Sequence, residues 1–168
     1  MRSLLLAAIG MACFSSFAMA GVLKDEVNRF TGDRDIAWRS IPDGSGKFAF
    51  GADARIPANG GRTMVAAWLI TYGDRARFSS CHHTHWLIDG RRTQEIKTRY
   101  QSDPGSGIEY FYVEPPKELI PVIAAAKKVE FQVCGEEGQI SDGDMEGLRQ
   151  LLKTLSDAGA GLAGNDKP

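Results

Sequence analysis

Phe78-Ser79-Ser80-Cys81-His82-His83-Thr84-His85-Trp86-Leu87-Ile88-Asp89-Gly90 opens the stretch that decides how this chain is read. A β-rich run ends in Asp-Gly, and a basic run from Arg91 to Tyr100 follows. Asp-Gly supplies the two positive-φ residues that a two-residue hairpin turn needs. Residues 78–100 therefore predict one hairpin, with a strand up to Ile88 and a return strand ending at Tyr100. All three histidines of the chain lie in it, beside Cys81.

Toward the N-terminus, Arg2 precedes the apolar run Leu4-Leu5-Leu6-Ala7-Ala8-Ile9, which continues in small and apolar residues to Phe17 and ends in Ala18-Met19-Ala20. A positive start, an apolar centre and a small-residue cleavage site are the three parts of a secretory signal peptide. Residues 1–20 are expected to be cleaved after Ala20, and the apolar centre is too short to span a bilayer. A lipid anchor at Cys13 is the lesser reading, because Gly10-Met11-Ala12 lacks the Leu-like residue that such sites carry three places upstream. A short leader without a downstream Asn-x-Ser/Thr acceptor points to a bacterial protein, periplasmic or secreted.

Of the 168 residues, about 148 then remain, enough for one domain with its own core, over residues 21–157, and a flexible tail over 158–168. Losing Arg2 from 20 basic residues against 21 acidic ones takes the formal charge from −1 to −2. That balance argues against a nucleic-acid partner, whose binding needs concentrated positive charge. No other apolar run reaches spanning length. Cys81 and Cys134, 53 positions apart, are the cysteines left. An isolated pair in an oxidising compartment predicts a disulfide, which sets the strand carrying Cys81 beside, or across a sheet edge from, the strand carrying Cys134.

Along the chain, residues 21–31 predict a lead-in with a short helix over 24–29. Ile36-Ala37-Trp38-Arg39 reads as a first strand, and Pro42-Asp43-Gly44-Ser45-Gly46 as a turn. Phe48, Phe50, Ala52, Ala54 and Ile56 alternate with Lys47, Ala49, Gly51, Asp53 and Arg55, the period of a strand with one buried face. Residues 63–72 are apolar on both faces and predict a central strand. Ile108-Glu109-Tyr110-Phe111-Tyr112-Val113 is aromatic and β-branched, and predicts another. Pro121 is expected at a first helical position, with Leu119, Val122, Ile123 and Ala126 at helical spacing to about Lys128. Val129, Phe131 and Val133 then alternate with polar residues, which puts Cys134 at the rim or on the outer side, away from the main core. Ser141 followed by Asp144 resembles a capping box, and Met145, Leu148, Leu152 and Leu155, widened by Leu151, form the apolar stripe of a helix. The expected fold is α+β: an antiparallel sheet or sandwich of about seven to eight strands, a short helix before the penultimate strands, and a C-terminal amphipathic helix.

Several constellations suggest chemistry. On a strand, His83 and His85 share a face with Cys81, and His-x-His presents two imidazoles to one metal ion; zinc or copper would need further ligands, with Glu95 a candidate. A disulfide-bonded Cys81 would not contribute. Ser79 and Ser80 lie near histidines, as an activated nucleophile requires, but no nucleophile turn surrounds them. Asp142, Asp144, Glu146 and Gly147 imitate the start of a calcium loop, which fails at Lys153, where a bidentate carboxylate belongs; helix capping accounts for the acids. Arg91, Lys97 and Arg99 fall on one face of the return strand. With Tyr100, Tyr110 and Tyr112 they form a candidate strip for an acidic partner or an anionic envelope polymer, which Arg75 and Arg77 would extend. The plainer reading is edge charge that prevents unwanted strand pairing.

The order Trp86-Leu87-Ile88-Asp89-Gly90, a strand from Ile108 to Pro115, Leu119-Ile120 with Ala124-Ala125-Ala126-Lys127-Lys128-Val129-Glu130-Phe131, and Asp144-Met145-Glu146-Gly147-Leu148-Arg149 resembles a diffuse group of small exported bacterial proteins of unassigned function. The resemblance covers about two thirds of the mature chain as a pattern of core positions. It implies a β-rich exported domain and no catalytic residue. The sequence therefore leads to a non-enzymatic envelope or secreted binding protein that recognises a protein partner or envelope polymer, for instance an inhibitor of an envelope-acting hydrolase. The alternatives are a metal-binding protein or metal-dependent enzyme centred on His83 and His85, and a structural envelope component.

Overall fold

Alternation of apolar and polar residues dictates a half-buried strand, and most of this chain obeys it. The computed structural model describes residues 21–40, 47–93, 96–103, 105–160 and 162; the expected signal peptide over 1–20, the expected turn over 42–46, Glu95 and most of the expected tail over 158–168 lie outside them. Among the described residues the chain is α+β with ten strands and two helices. The class is the expected one, with more strands than seven to eight.

Six strands form the first sheet: β1 (Gly21–Val27), β2 (Arg34–Ser40), β3 (Ala49–Ile56), β4 (Met64–Thr71), β7 (Lys97–Asp103) and β8 (Ile108–Glu114), in the order β1-β2-β3-β4-β8-β7, every pair antiparallel. Residues 24–29 are thus not a helix. Leu23, Lys24 and Asp25 pair with Trp38, Ala37 and Ile36, and edge pairing with β2 outweighs the helical propensity of this short polar run. The inner face carries Ile36, Trp38, Phe50, Ala52, Ala54, Ala67, Leu69, Phe111 and Val113, all buried.

A smaller sheet has β5 (Thr84–Ile88), β6 (Arg91–Thr93), β9 (Val129–Val133) and β10 (Glu136–Ile140) in the order β10-β9-β5-β6. The hairpin turn forms as read, with Asp89 at φ 51° and Gly90 at φ 75°. The long hairpin does not. Its first strand begins only at Thr84, and its return breaks after Thr93, so that Lys97 onward pairs with β8 in the other sheet. Phe48, Phe78, Phe111, Phe131 and Trp86 fill the space between the sheets, with ring centroids 5.3 to 5.6 Å apart for Phe48–Phe131, Phe78–Phe111, Trp86–Phe131 and Phe48–Phe78. The Thr84 and Thr98 hydroxyls, 2.9 Å apart, bridge β5 to β7.

Helix α1 (Pro116–Ala125) starts at Pro116, not Pro121, which lies inside it. It packs on β4, β8 and helix α2 (Asp142–Asp157), which also covers β1, β2 and β3. Ser141 caps α2, its hydroxyl accepting from the Asp144 amide and donating to the Asp144 carboxylate. That carboxylate also accepts from Trp38 Nε1 at 2.9 Å and from the Ser40 hydroxyl, so the cap doubles as the bolt between helix and sheet. Above it Gly147 lies flat on the buried Trp38 indole, with no room for a Cβ. Gly147→Val is expected to lower stability by about 3 kcal/mol by overpacking, read as the urea midpoint; an unchanged midpoint would mean that helix and indole are not in contact. Ala160 and Leu162 pack partly buried against the core.

Candidate functional site

Residues 78–83 owe their irregular path to one buried carboxylate. Glu109, on β8, points inward and is 1% exposed. Its oxygens accept from the amides of Arg77 and Phe78 and from the Tyr100 hydroxyl, each at 2.8 Å. A buried carboxylate requires such donors, and here the backbone before the disulfide supplies them in place of a strand ladder. Burial and the bond to Glu109 push the Tyr100 phenol up from its ordinary pKa, which keeps it a donor. Arg77 donates to the Thr71 hydroxyl at 2.9 Å and to Glu136 at 3.1 Å, so it is tied down and does not extend a free basic strip.

Beyond that loop Cys81 is bonded to Cys134 at the rim, both half-buried, with Cα atoms 6.0 Å apart. The three imidazoles do not converge. His82 stacks on Tyr100 with centroids 4.8 Å apart, while His83 and His85 approach each other to 5.5 Å. His83 Nδ1 is 3.4 Å from Cys81 Sγ. Glu95, the third metal ligand the sequence suggested, lies outside the described residues; the ligand atoms gathered among those described belong to Cys81, His83 and Cys134, all within 4.8 Å of one another. Ser79 and Ser80 are exposed, and no histidine reaches their hydroxyls among the described residues. The calcium-like acids are on α2, where Asp144 is committed to Trp38, Ser40 and Ser141 and Glu146 pairs with Arg149.

The candidate partner strip divides. Lys97, Arg99, Tyr110 and Tyr112 share the outer face of the six-stranded sheet, as their pairings Lys97↔Glu114, Arg99↔Tyr112 and Gln101↔Tyr110 require. Tyr100 turns inward and Arg91 stands on the other sheet. What the sequence reading missed is the centre of this face. Arg39↔Gly51, Gly51↔Trp68, Trp68↔Tyr112 and Tyr112↔Arg99 are successive register partners. These residues make one row across five strands, a pair of rings between two guanidiniums. Arg39 lies 4.6 Å over the Trp68 ring, Arg99 lies 4.6 Å over Tyr112, and the two rings are 5.9 Å apart. Gly51 lets the indole lie on the backbone, since a Cβ there would stand 2.8 Å from the ring. Trp68, Ile70 and Ala49 form a small buried cluster under this face, 7–8% exposed, with Tyr110 and Tyr112 packed half-buried over it, and Met64 and Tyr72, each 56% exposed, flank it. The signal was present in residues 63–72: a strand apolar on both faces carries large residues on whichever face is not the core.

Charges on this face cancel in pairs: Arg39 with Asp53 at 3.4 Å, Arg55 with Asp35 at 2.6 Å, Arg99 with Glu114 at 3.1 Å and Lys24 with Glu26 at 3.5 Å. Burial between strands raises the Asp53 carboxyl above its ordinary pKa, with Arg39 pulling it back; 42% of the side chain still meets solvent. At the inner edge, the Arg34 hydrogen bond lowers Asp25. The outer face is therefore aromatic and nearly neutral, not the cationic strip that the charges on the return strand suggested. Among the described residues no helix is long and apolar enough to cross a membrane. Neither a family model nor a curated protein nor a solved structure matches the chain, so its function must be read from these surfaces.

Proposed function

We propose that this chain is an exported, non-enzymatic binding protein that docks a partner protein on the outer face of its six-stranded sheet. The row Arg39–Gly51–Trp68–Tyr112–Arg99 carries this reading. Trp, Tyr, Arg and Met are the residues enriched at the centres of protein interfaces, and here they lie on rigid strands whose geometry is set before binding. Paired charges at the margins suit a polar rim and add little affinity of their own. Cancellation of those charges favours a protein surface over the anionic envelope polymer that the sequence also suggested, because an anionic polymer needs unpaired cations.

The test immobilises the mature, disulfide-intact chain and its Tyr110→Ser/Tyr112→Ser form and passes an envelope extract of the source cell over both. One protein retained by the native chain and lost from the double variant is the expected result. Equal retention on both, retention of polysaccharide alone, or no retention at any salt concentration would overturn the reading.

A further inference from the structure

The disulfide, the imidazole beside it and the strand ladder beneath them point to a second site on a different surface. We propose that Cys81, Cys134 and His83 form a redox-gated zinc site, closed while the two sulfurs are bonded to each other and assembled when they are reduced. Cys81 Sγ and His83 Nδ1 are 3.4 Å apart. A tetrahedral zinc ion with Zn–S near 2.3 Å and Zn–N near 2.0–2.1 Å spans an S···N edge of about 3.5 Å, so this pair already stands at ligand spacing. Two thiolates at one ion are separated by about 3.8 Å on the same geometry, and side-chain rotation reaches that with the Cα atoms 6.0 Å apart.

Reduction leaves the ligands in place because they are tied independently of the S–S bond. The Cys134 amide donates to the His83 carbonyl at 3.0 Å, Thr84 pairs with Val133, and the Cys81 amide donates to Phe78 at 3.1 Å. An open cleft lies beside them, which leaves the fourth position to water. Two thiolates and a neutral imidazole give a zinc complex without net charge, which suits a half-buried rim. A dithiol reductant opens the site: it passes two electrons and two protons to the Cys81–Cys134 bond and becomes a disulfide itself. Binding of Zn²⁺ then displaces the two thiol protons. Nothing here depends on the outer face of the large sheet, and failure of either reading leaves the other standing.

The experiment uses the full mature chain, oxidised or reduced by a dithiol that is then removed without air, and titrates each with Co²⁺ followed by Zn²⁺. The reduced chain is expected to take one equivalent of Co²⁺, with a thiolate-to-cobalt absorption band and tetrahedral visible bands that Zn²⁺ abolishes; the oxidised chain shows neither. His83→Ala, reduced and with the circular dichroism of the reduced native chain, is expected to bind at least about tenfold more weakly, as loss of one of three protein ligands requires. No stoichiometric cobalt in the reduced chain, equal affinity in His83→Ala, or a reduced chain without a cooperative melt would each overturn the proposal.

Discussion

Replacing Cys81 and Cys134 together by serine is expected to remove about 4 kcal/mol of stability and to lower the melting temperature by about 10 °C. The bond closes a loop of sequence separation 53, and without it the unfolded chain regains that loop's entropy. The folded state loses little, since the bond lies at the rim and the β5–β9 ladder continues beneath it. Loss of stability should therefore appear with a higher urea m-value in the serine form, whose unfolded chain is less compact and exposes more surface, as denaturation of the oxidised and serine forms side by side will show. A loss below about 1 kcal/mol would mean that the bond constrains nothing in the unfolded chain.

Glu109→Ala is expected to cost a similar amount, about 4 kcal/mol, by another route. The truncation removes the acceptor of three donors at once: the amides of Arg77 and Phe78 and the Tyr100 hydroxyl. The Phe78 bond is buried and the other two partly so, and a buried donor left unpaired costs about 1–3 kcal/mol. Glu109→Gln keeps acceptor capacity and should cost less than half as much. Hydrogen exchange distinguishes this from a general loss of packing: the Phe78 amide should lose protection in Glu109→Ala beyond the drop seen at Ile70 or Phe111. Uniform loss at all three amides would show that Glu109 does not hold the loop.

Much of the architecture was legible because alternation is local. Phe50, Ala52 and Ala54, the β9 set, the Ser141 cap and the α2 stripe could each be read within a few residues, and the pairing of Cys81 with Cys134 followed from their isolation. Residues 78–83 could not be read in this way, because the group that bends them, Glu109, is 31 residues from Phe78 in sequence. The break after Thr93 was hidden for a related reason: a basic run continuous in sequence is shared between two sheets, and only pairing with Tyr112 and Phe111 shows where it divides. The same division took Arg91 and Tyr100 out of the candidate strip. Trp68 was missed because an apolar strand reads as buried on both sides without showing what buries it, and here the outer side is closed by Arg39 and Tyr112 from other strands.

The outer face of the large sheet carries the account, and the most direct measurement of it is the equilibrium affinity of the captured partner for three forms of the chain. Tyr110→Ser/Tyr112→Ser is predicted to weaken binding by at least about 30-fold, the effect of losing central interface residues worth about 2 kcal/mol. His83→Ala, at the disulfide rim and outside the Arg39–Arg99 row, is predicted to change it by less than about twofold. Binding that survives the tyrosine changes and falls with His83→Ala would contradict the account and move the docking site to the histidine rim.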